Sequence, residues 1–296
     1  MPHSFLAACA LSFSALLSGV AAQQSLPVRG FSTGGHTVYH VRPATVSNGG
    51  GRVIISAALD GSVLCHTPEG RLVWKAQTGG NMPFDLAVAD IDGDRLDETL
   101  VASADGALYA IDHDGKPLWT FRRTAPLFQV AAAKLAGGAT VILTGGVEQV
   151  LYELSATGKV LRTLETEHPI RHIRAGDITG SGRDHAAVAT ASSGLSGVLS
   201  LLLVDPADLK VVWKRTNLAK SVPNSGRRFF SMALLDMNHD GRQEILLSNS
   251  WGEHGKIFGF DHEGKQFLEK SDERIPNASY RMNLLAPVKL PSDEFV

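Results

Sequence analysis

Short apolar runs separated by turn residues recur along the chain from about residue 36 onward. Ala87-Val88-Ala89 leads into an acidic loop, for example, and Thr99-Leu100-Val101-Ala102 leads out of it. Runs of this length, bounded by Gly, Asp and Asn, are typical of β-strands joined by hairpins and are too short for helices. The pattern therefore predicts an all-β protein built from short antiparallel strands.

The strand pattern repeats at a nearly constant interval. The segment that ends at Trp119 echoes the segment that ends at Trp74, and each has a Gly-containing turn before its tryptophan. These tryptophans lie 45 positions apart, and Trp213 follows 94 positions later, which is about two such steps. The interval is typical of a four-stranded β-propeller blade with strands A to D. We expect the tryptophans, which end strand D, to pack between neighbouring blades.

Two of the units carry a nine-residue acidic loop between strands A and B. Oxygen side chains stand at positions 1, 3, 5 and 9: Asp90, Asp92, Asp94 and Glu98 in one loop, and Asp236, Asn238, Asp240 and Glu244 in the other. Such oxygens suit calcium, but an EF-hand is excluded because position 12 is Val101 or Leu247 instead of glutamate. We therefore expect a structural calcium ion in each loop. A third copy, which begins at Asp177, keeps the frame but loses carboxylates.

These motifs resemble two known families of blade repeats. The acidic loops are similar to FG-GAP and VCBS repeats, extracellular propeller blades whose A-B loops bind calcium. The segments Leu108–Trp119 and Cys65–Trp74 resemble the tail of the PQQ-like blade repeat. The resemblances cover most of residues 36–290 and imply a calcium-binding propeller. They leave the activity open, because both families host many functions.

The repeats divide the chain into five complete blades and the start of another. The blades are predicted at residues 36–79, 80–126, 127–169, 170–228 and 229–278. Residues 279–296 align with the beginning of a further, truncated blade. Because an unfinished blade leaves a strand edge unpaired, we expect an incomplete propeller. It is either a fragment that lacks further blades or domains, or a chain that closes with a partner.

The N-terminus has the features of a secretory leader. Residues 5–17 form an apolar core, and Val20-Ala21-Ala22 fits the small-residue cleavage rule. We expect a signal peptide over residues 1–22, an N-terminal segment over 23–35, and export to the periplasm or the extracellular space. Downstream, no apolar run is long enough to span a bilayer. Cleavage leaves Cys65 as the sole cysteine, which excludes an intramolecular disulfide.

Charged and polar residues indicate where a ligand would bind. The formal net charge of -2 argues against nucleic acid as the main partner. The connections between blades nevertheless concentrate arginines on one rim: Arg122, Arg123, Arg171, Arg174, Arg227, Arg228 and Arg281. Alignment of the A strands places a polar ring in the channel: His40, Asp85, Gln129, His172 and Ser231. Guanidinium groups match carboxylate and sulfate oxygens, so these residues either bind an acidic polysaccharide or are merely solvated.

Three functional interpretations remain open. The leading one is a secreted, calcium-stabilised propeller that acts as a binding or scaffold module for an acidic polysaccharide or a protein. The alternative is a polysaccharide lyase, in which His172, His40 or Tyr280 removes a proton alpha to a uronate carboxylate. A PQQ-dependent dehydrogenase is the third, although the paired cysteines of many such enzymes are impossible with Cys65 alone.

Overall fold

The computed structural model describes residues 30–80, 82–191, 199–216, 229–249 and 256–271. The predicted signal peptide, residues 23–29 of the N-terminal segment and the truncated blade lie outside these ranges. Four candidate site residues also lie outside the described residues: Arg227, Arg228, Tyr280 and Arg281.

Twenty β-strands form five four-stranded sheets, and the described residues contain no helix. The first two sheets comprise β1 (Val38–Ala44), β2 (Val53–Ala58), β3 (Ser62–His66) and β4 (Leu72–Gln77), then β5 (Pro83–Ala89), β6 (Glu98–Ser103), β7 (Ala107–Ile111) and β8 (Pro117–Arg122). The third comprises β9 (Leu127–Lys134), β10 (Thr140–Gly146), β11 (Val150–Leu154) and β12 (Val160–Glu165). The fourth comprises β13 (Ile170–Gly176), β14 (His185–Ala191), β15 (Leu199–Asp205) and β16 (Lys210–Thr216). The fifth comprises β17 (Phe229–Leu235), β18 (Glu244–Asn249), β19 (Lys256–Phe260) and β20 (Gln266–Ser271).

Within each sheet, strands that are consecutive in the chain pair antiparallel. The first strands of consecutive sheets also contact one another, in the order β1, β5, β9, β13 and β17. The first strand of each sheet therefore lies innermost, beside the first strands of the neighbouring sheets, and the second, third and fourth strands follow outward in order. This arrangement confirms the predicted all-β fold of four-stranded propeller blades.

Apolar clusters lie between consecutive sheets and hold them together. One inner-strand residue of each later sheet packs against the preceding sheet and is at most 2 % exposed: Leu86, Val130, Ile173 and Met232. Val41 occupies the same register in β1 but is 50 % exposed. The described residues place no sheet before the first one, so this valine has no apolar cluster to join.

Tryptophans within the outermost strands β4, β8 and β16 form a second kind of contact between blades. The indole N–H of Trp74 in the first sheet donates to the carbonyl of His113 in the second at 2.9 Å. The same bond joins Trp119 to Ala156 and Trp213 to His262, each at 2.7 Å. The tryptophans therefore pack between blades, as the sequence predicts.

Each of these indole rings also lies flat against a glycine of the next sheet. A Cβ added to Gly115 would lie 2.7 Å from the Trp74 ring, and one added to Gly158 would lie 2.6 Å from the Trp119 ring. Gly115 has a φ of 86°, in the left-handed region that favours glycine. The turn needs glycine here for two reasons, its backbone conformation and the approach of the ring.

The contact between the third and fourth sheets is built differently. In the third sheet, Arg162 occupies the position that Trp74 and Trp119 occupy in the first two sheets. Its guanidinium donates to both carboxylate oxygens of the buried Glu153, at 2.7 and 2.9 Å. In the fourth sheet, Leu209 occupies the turn position that Gly115 and Gly158 occupy in the second and third sheets, and its φ is 57°. Its side chain is buried in the cluster between the two sheets. Leu209 thus supplies the apolar surface that a tryptophan supplies elsewhere, which offsets the cost of about 1–2 kcal/mol for a left-handed backbone.

Candidate functional site

The inner strands bring polar side chains to equivalent positions around the channel. Five residues occupy these positions, and each follows an irregularity in strand register: His40, Asp85, Gln129, His172 and Ser231. A β-bulge of this kind re-aims the side chain that comes after it. All but His40 are less than 9 % exposed. The structure therefore brings together the polar ring that the alignment of A strands predicts.

Asp85 is the hub of this ring. Its Oδ2 accepts hydrogen bonds from Arg174 Nη1 at 3.1 Å and from the backbone N–H of Val130 at 3.3 Å. Its Oδ1 lies 3.5 Å from Arg42 Nη2, and the side chain is 1 % exposed. Arg174 Nη1 also donates to Gln129 Oε1 at 3.1 Å. Groups from three other sheets thus converge on this carboxylate of the second sheet, with two guanidinium groups for a single negative charge.

Burial shapes the electrostatics of the channel. It lowers the pKa of Arg42 below its usual range; Asp85 opposes this shift, and the charge of Arg174 adds to it. Burial also lowers the pKa of His40, again opposed by Asp85. His40 Nε2 lies 2.9 Å from the carbonyl oxygen of Phe84. A carbonyl only accepts hydrogen bonds, so Nε2 carries a hydrogen.

Two cavities open beside the arginines at the end of the channel that carries the A-B loops. One, of about 390 Å³, is lined by Arg42, Arg174 and the exposed Lys134, with Asp90, Asp97 and Asp184 among its other residues. The other, of about 660 Å³, lies between the fourth and fifth sheets and is also bordered by Arg174. Arg174 therefore has access to both cavities while it is held by Asp85. The sequence places Arg174 with the rim arginines and does not single out Arg42.

The described rim arginines make contacts within the chain. Arg122 Nη1 lies 3.3 Å from Asp105 Oδ2, and the Arg171 guanidinium stacks 4.6 Å from the centre of the Phe128 ring. Arg123 Nε donates to Glu148 Oε2 at 2.8 Å. Burial alone would raise the pKa of Glu148, but hydrogen bonds from Tyr152, Arg123 and Thr124 hold it at about 2. Much of the positive charge on this rim is therefore already neutralised.

The two acidic loops fold in the same way. The Asp90 carboxylate accepts the backbone N–H groups of Gly93 at 2.6 Å and Arg95 at 3.0 Å. Asp236 accepts those of Asp240 at 3.1 Å and Gly241 at 3.0 Å. The glutamates at position 9 are both buried, and each accepts one backbone N–H: Glu98 from Ile91 at 3.0 Å, and Glu244 from Met237 at 2.7 Å.

The loop of the second sheet has the donor set of a cation site. Carboxylate oxygens of Asp90, Asp92 and Glu98 lie within 4.8 Å of one another. Burial raises the pKa of Glu98 to about 7, and the charges of Asp92, Asp94 and Asp90 add to this shift. A bound cation would relieve this repulsion, so the residues fit calcium.

The loop of the fourth sheet contains no such group of carboxylates. Thr179 Oγ1 donates to Ser181 Oγ at 2.9 Å and lies 3.2 Å from His185 Nδ1, which stands at position 9. Hydroxyl and imidazole groups therefore close this loop by hydrogen bonding among themselves. The structure agrees here with the sequence, in which the third copy keeps the loop spacing but lacks several of the carboxylates.

Position 8 of the loops has a role that the sequence does not reveal. Asp97 Oδ2 accepts the backbone N–H of Thr45 at 2.7 Å, and the Asp97 N–H donates to the Thr45 carbonyl at 2.7 Å. Asp184 makes the same pair of bonds with Lys134, at 2.7 and 2.9 Å. Position 8 therefore joins each of these loops to the preceding sheet, at the residue that ends or directly follows its inner strand.

We predict that Asp97→Ala lowers the free energy of unfolding by about 1.5 kcal/mol, because it removes a charge-assisted hydrogen bond between blades. The matched control is Asp114→Ala, whose exposed carboxylate pairs with Lys116 at 3.1 Å and whose removal is expected to leave stability almost unchanged. Urea unfolding of both variants measures the difference. Equal losses would show that the Asp97 bond does not stabilise the blade contact.

Comparisons with known proteins support the β-propeller fold and identify proteins to which the chain is similar. Residues 53–177 match the family model of the lambda-carrageenase β-propeller domain. Lambda-carrageenases of Pseudoalteromonas sp. and Pseudoalteromonas carrageenovora are each 27 % identical to the chain over 267 residues. The alignments cover 83 % of this chain and 27 % of each enzyme, so the chain spans just over a quarter of the length of these relatives. The chain is thus similar to a polysaccharide-related propeller.

Solved structures show the same fold at low sequence identity. BBS1N, crystallised in complex with ARL6DN, aligns with a TM-score of 0.57 at 11 % identity, over 79 % of this chain and 68 % of its own. The WD40 domain of Neurospora crassa Pan2 aligns with a TM-score of 0.56 at 10 % identity, over 79 % and 65 %. In the described part of the chain, no helix has the length and apolar character of a membrane span.

Proposed function

We propose that this propeller binds an anionic polysaccharide through Arg42 and Arg174 at the mouth of its channel. The observation that carries the proposal is the convergence of both guanidinium groups on the single buried carboxylate of Asp85, beside a cavity of about 390 Å³. The similarity to carrageenases supports a polysaccharide as the ligand class. The predicted signal peptide supports an extracellular encounter with it.

The charges of this cluster favour an added anion. Asp85 orients both arginines but neutralises only one positive charge, and the side chains of Arg42 and Arg174 remain 34 % and 28 % exposed. A sulfate or carboxylate in the cavity would accept their remaining N–H groups and lessen their mutual repulsion. Lys134 at the cavity edge would add a further positive charge. Asp90, Asp97 and Asp184 also line the cavity, so an anionic group of the glycan is expected to bind directly at the two guanidinium groups, where Asp85 leaves one positive charge unpaired.

We predict that Arg42→Ala and Arg174→Ala each weaken the binding of lambda-carrageenan or polygalacturonate by about tenfold, because each removes a charged hydrogen-bond donor. Binding of the unaltered protein should weaken as salt rises, since exposed charges are screened beyond about 8 Å at physiological ionic strength. Affinity electrophoresis or calorimetry at several salt concentrations measures both effects.

Controls separate the channel from the rim and from unfolding. Arg122→Ala removes a rim arginine that already pairs with Asp105 and should leave the affinity unchanged. Arg174→Lys retains a positive charge and should retain part of the binding. Circular dichroism checks that each variant is folded. If no anionic glycan binds at low salt, or if Arg122→Ala weakens binding as much as Arg174→Ala, the proposed site is wrong.

An enzyme that cleaves the same polysaccharide is the second candidate function. The observation that favours it is the half-buried imidazole of His40 near the Asp85 and Arg42 charges: burial lowers its pKa, and Nε2 faces the Phe84 carbonyl, which leaves Nδ1 as the nitrogen that could accept a proton. Incubation with polyuronates would release unsaturated products if the chain is a lyase, and His40→Ala or His172→Ala would abolish that release. The PQQ-dependent dehydrogenase stays a prediction from the blade tails alone.

We also propose that the two acidic loops bind calcium as a structural ion. The support is the shared loop geometry, the clustered carboxylates and the raised pKa of Glu98. Calcium in these loops would fix the A-B connections next to the channel mouth, since Asp90 belongs to both the loop and the cavity wall. The ion would therefore stabilise the binding face.

A further inference from the structure

A histidine from a neighbouring turn reaches the acidic loop of the second sheet. His113 lies in the turn between β7 and β8, and its Nδ1 is 3.6 Å from Asp94 Oδ2 and 3.8 Å from Glu98 Oε1. The three ligand atoms lie within 4.8 Å of one another. Calcium is bound in proteins by oxygen atoms, so an imidazole nitrogen has no place in its usual ligand set.

One carboxylate oxygen of Glu98, Oε1, lies near His113 and has no hydrogen-bond partner. Its side chain is 1 % exposed, and while Oε2 accepts the backbone N–H of Ile91, Oε1 accepts no hydrogen bond. A buried carboxylate oxygen without a partner carries a desolvation cost, and a metal ion is one way to remove it. The orphaned oxygen points to a ligand independently of the acidic composition of the loop.

We infer that Asp94, Glu98 and His113 form a site for a divalent transition-metal ion of the zinc class. Zinc binds His nitrogen and carboxylate oxygen at about 2.0–2.2 Å, which puts tetrahedral ligands roughly 3.4 Å apart. The separations of 3.6 and 3.8 Å from His113 would close by a few tenths of an ångström, and the Asp94 and Glu98 oxygens already lie within 4.8 Å of each other. The mixed nitrogen and oxygen donors suit zinc better than calcium or magnesium.

The fifth sheet provides an internal comparison. His262 occupies the same turn position as His113, and its sheet carries the other acidic loop. Its Nε2, however, lies 3.1 Å from Arg242 Nη1. A positive guanidinium beside the imidazole disfavours a metal cation there. The zinc-class site is therefore specific to the second sheet, although both loops share the calcium donor pattern.

The site would connect metal binding to the contact between the first two sheets. The main-chain carbonyl of His113 accepts the indole N–H of Trp74, so an ion that holds His113 also holds this docking turn. Glu98 belongs both to this group and to the Asp90 and Asp92 cluster. Zinc and calcium would therefore compete for the loop of the second sheet but not for the loop of the fifth.

Calorimetric titration of the full chain with Zn²⁺ and, separately, with Ca²⁺ tests the inference. We expect His113→Ala to weaken zinc binding by about tenfold or more and to leave calcium binding unchanged. The substitution keeps the main-chain carbonyl that receives Trp74. Zinc should change the tryptophan emission of the unaltered protein, and Trp74→Phe should remove that change.

The matched control is His262→Ala, which should leave zinc affinity unchanged. Zinc binding that is equal in the unaltered protein and in His113→Ala would overturn the inference, as would an equal loss in His262→Ala. A parallel loss of zinc and calcium binding in His113→Ala would also overturn it, because His113 would then act on the fold of the loop. The zinc titration needs no calcium site, so its result is independent of the calcium proposal.

Discussion

Gly115→Ala is expected to lower the free energy of unfolding by about 3 kcal/mol, because it combines a backbone penalty with a collision between blades. The φ of 86° costs a non-glycine residue about 1 kcal/mol or more. The added Cβ would lie 2.7 to 2.9 Å from three atoms of the Trp74 ring. The ring cannot withdraw without breaking its N–H bond to the His113 carbonyl. Chemical denaturation measures the loss.

Gly138→Ala isolates the backbone part of this effect. Gly138 has nearly the same φ, 89°, and an added Cβ meets nothing within 4 Å. We therefore expect it to cost about 1 kcal/mol, the backbone term alone. Gly158→Ala, whose Cβ would collide with Trp119, should resemble Gly115→Ala. If Gly115→Ala and Gly138→Ala cost the same, the indole docking contributes nothing to the rigidity of the blade contact.

Calcium at ten times its dissociation constant is expected to stabilise the protein by about 1.4 kcal/mol for each loop it occupies, or roughly 2.8 kcal/mol for both loops. The gain arises because the ion binds the folded loop and not the unfolded chain. The double substitution Asp90→Ala with Asp236→Ala should abolish the gain. Thermal unfolding with millimolar calcium and with a chelator measures it, and each variant is compared with itself, since either substitution also removes backbone hydrogen bonds.

The loop of the fourth sheet supplies the control for this experiment. Asp177→Ala removes a carboxylate that also accepts two backbone N–H groups, at 2.8 Å each. It should lower stability equally with and without calcium, because Thr179, Ser181 and His185 replace the other ligands. A melting temperature of the unaltered protein that is the same in chelator and in calcium would show that the acidic loops are solvated turns.

Both proposed sites combine residues from separate strands or loops. The Asp85 cluster joins side chains from the first, second and fourth sheets, and the His113 group joins two loops of one sheet. Each place contains a buried carboxylate: Asp85 accepts hydrogen bonds from its neighbours, whereas Glu98 keeps one oxygen without a hydrogen bond. A propeller suits this role because rigid inner strands orient side chains more accurately than free loops do.

The sequence by itself determined the features that depend on local periodicity. Short apolar runs and acidic turns predict the strands and hairpins, and the interval from Trp74 to Trp119 predicts the repeat of the blades. Each of these features depends only on residues within about 45 positions of one another. The tryptophan contacts were also predictable, since a repeated unit packs against its copy in the same way each time. The frame of the acidic loops follows from the spacing of Asp and Gly.

Only the tertiary structure decided which charges are neutralised and which remain available. Arg122 and Arg174 look alike in the sequence, yet one pairs with Asp105 on the rim and the other with Asp85 in the channel. The Asp97 bond to Thr45 and the replacement of a docking tryptophan by Leu209 likewise appear only when sheets meet. Residues such as Asp85 and Arg174, 89 positions apart, are joined because consecutive sheets place their inner strands side by side. Hydrogen bonds and ion pairs act over a few ångströms, so spacing along the chain cannot specify these partners.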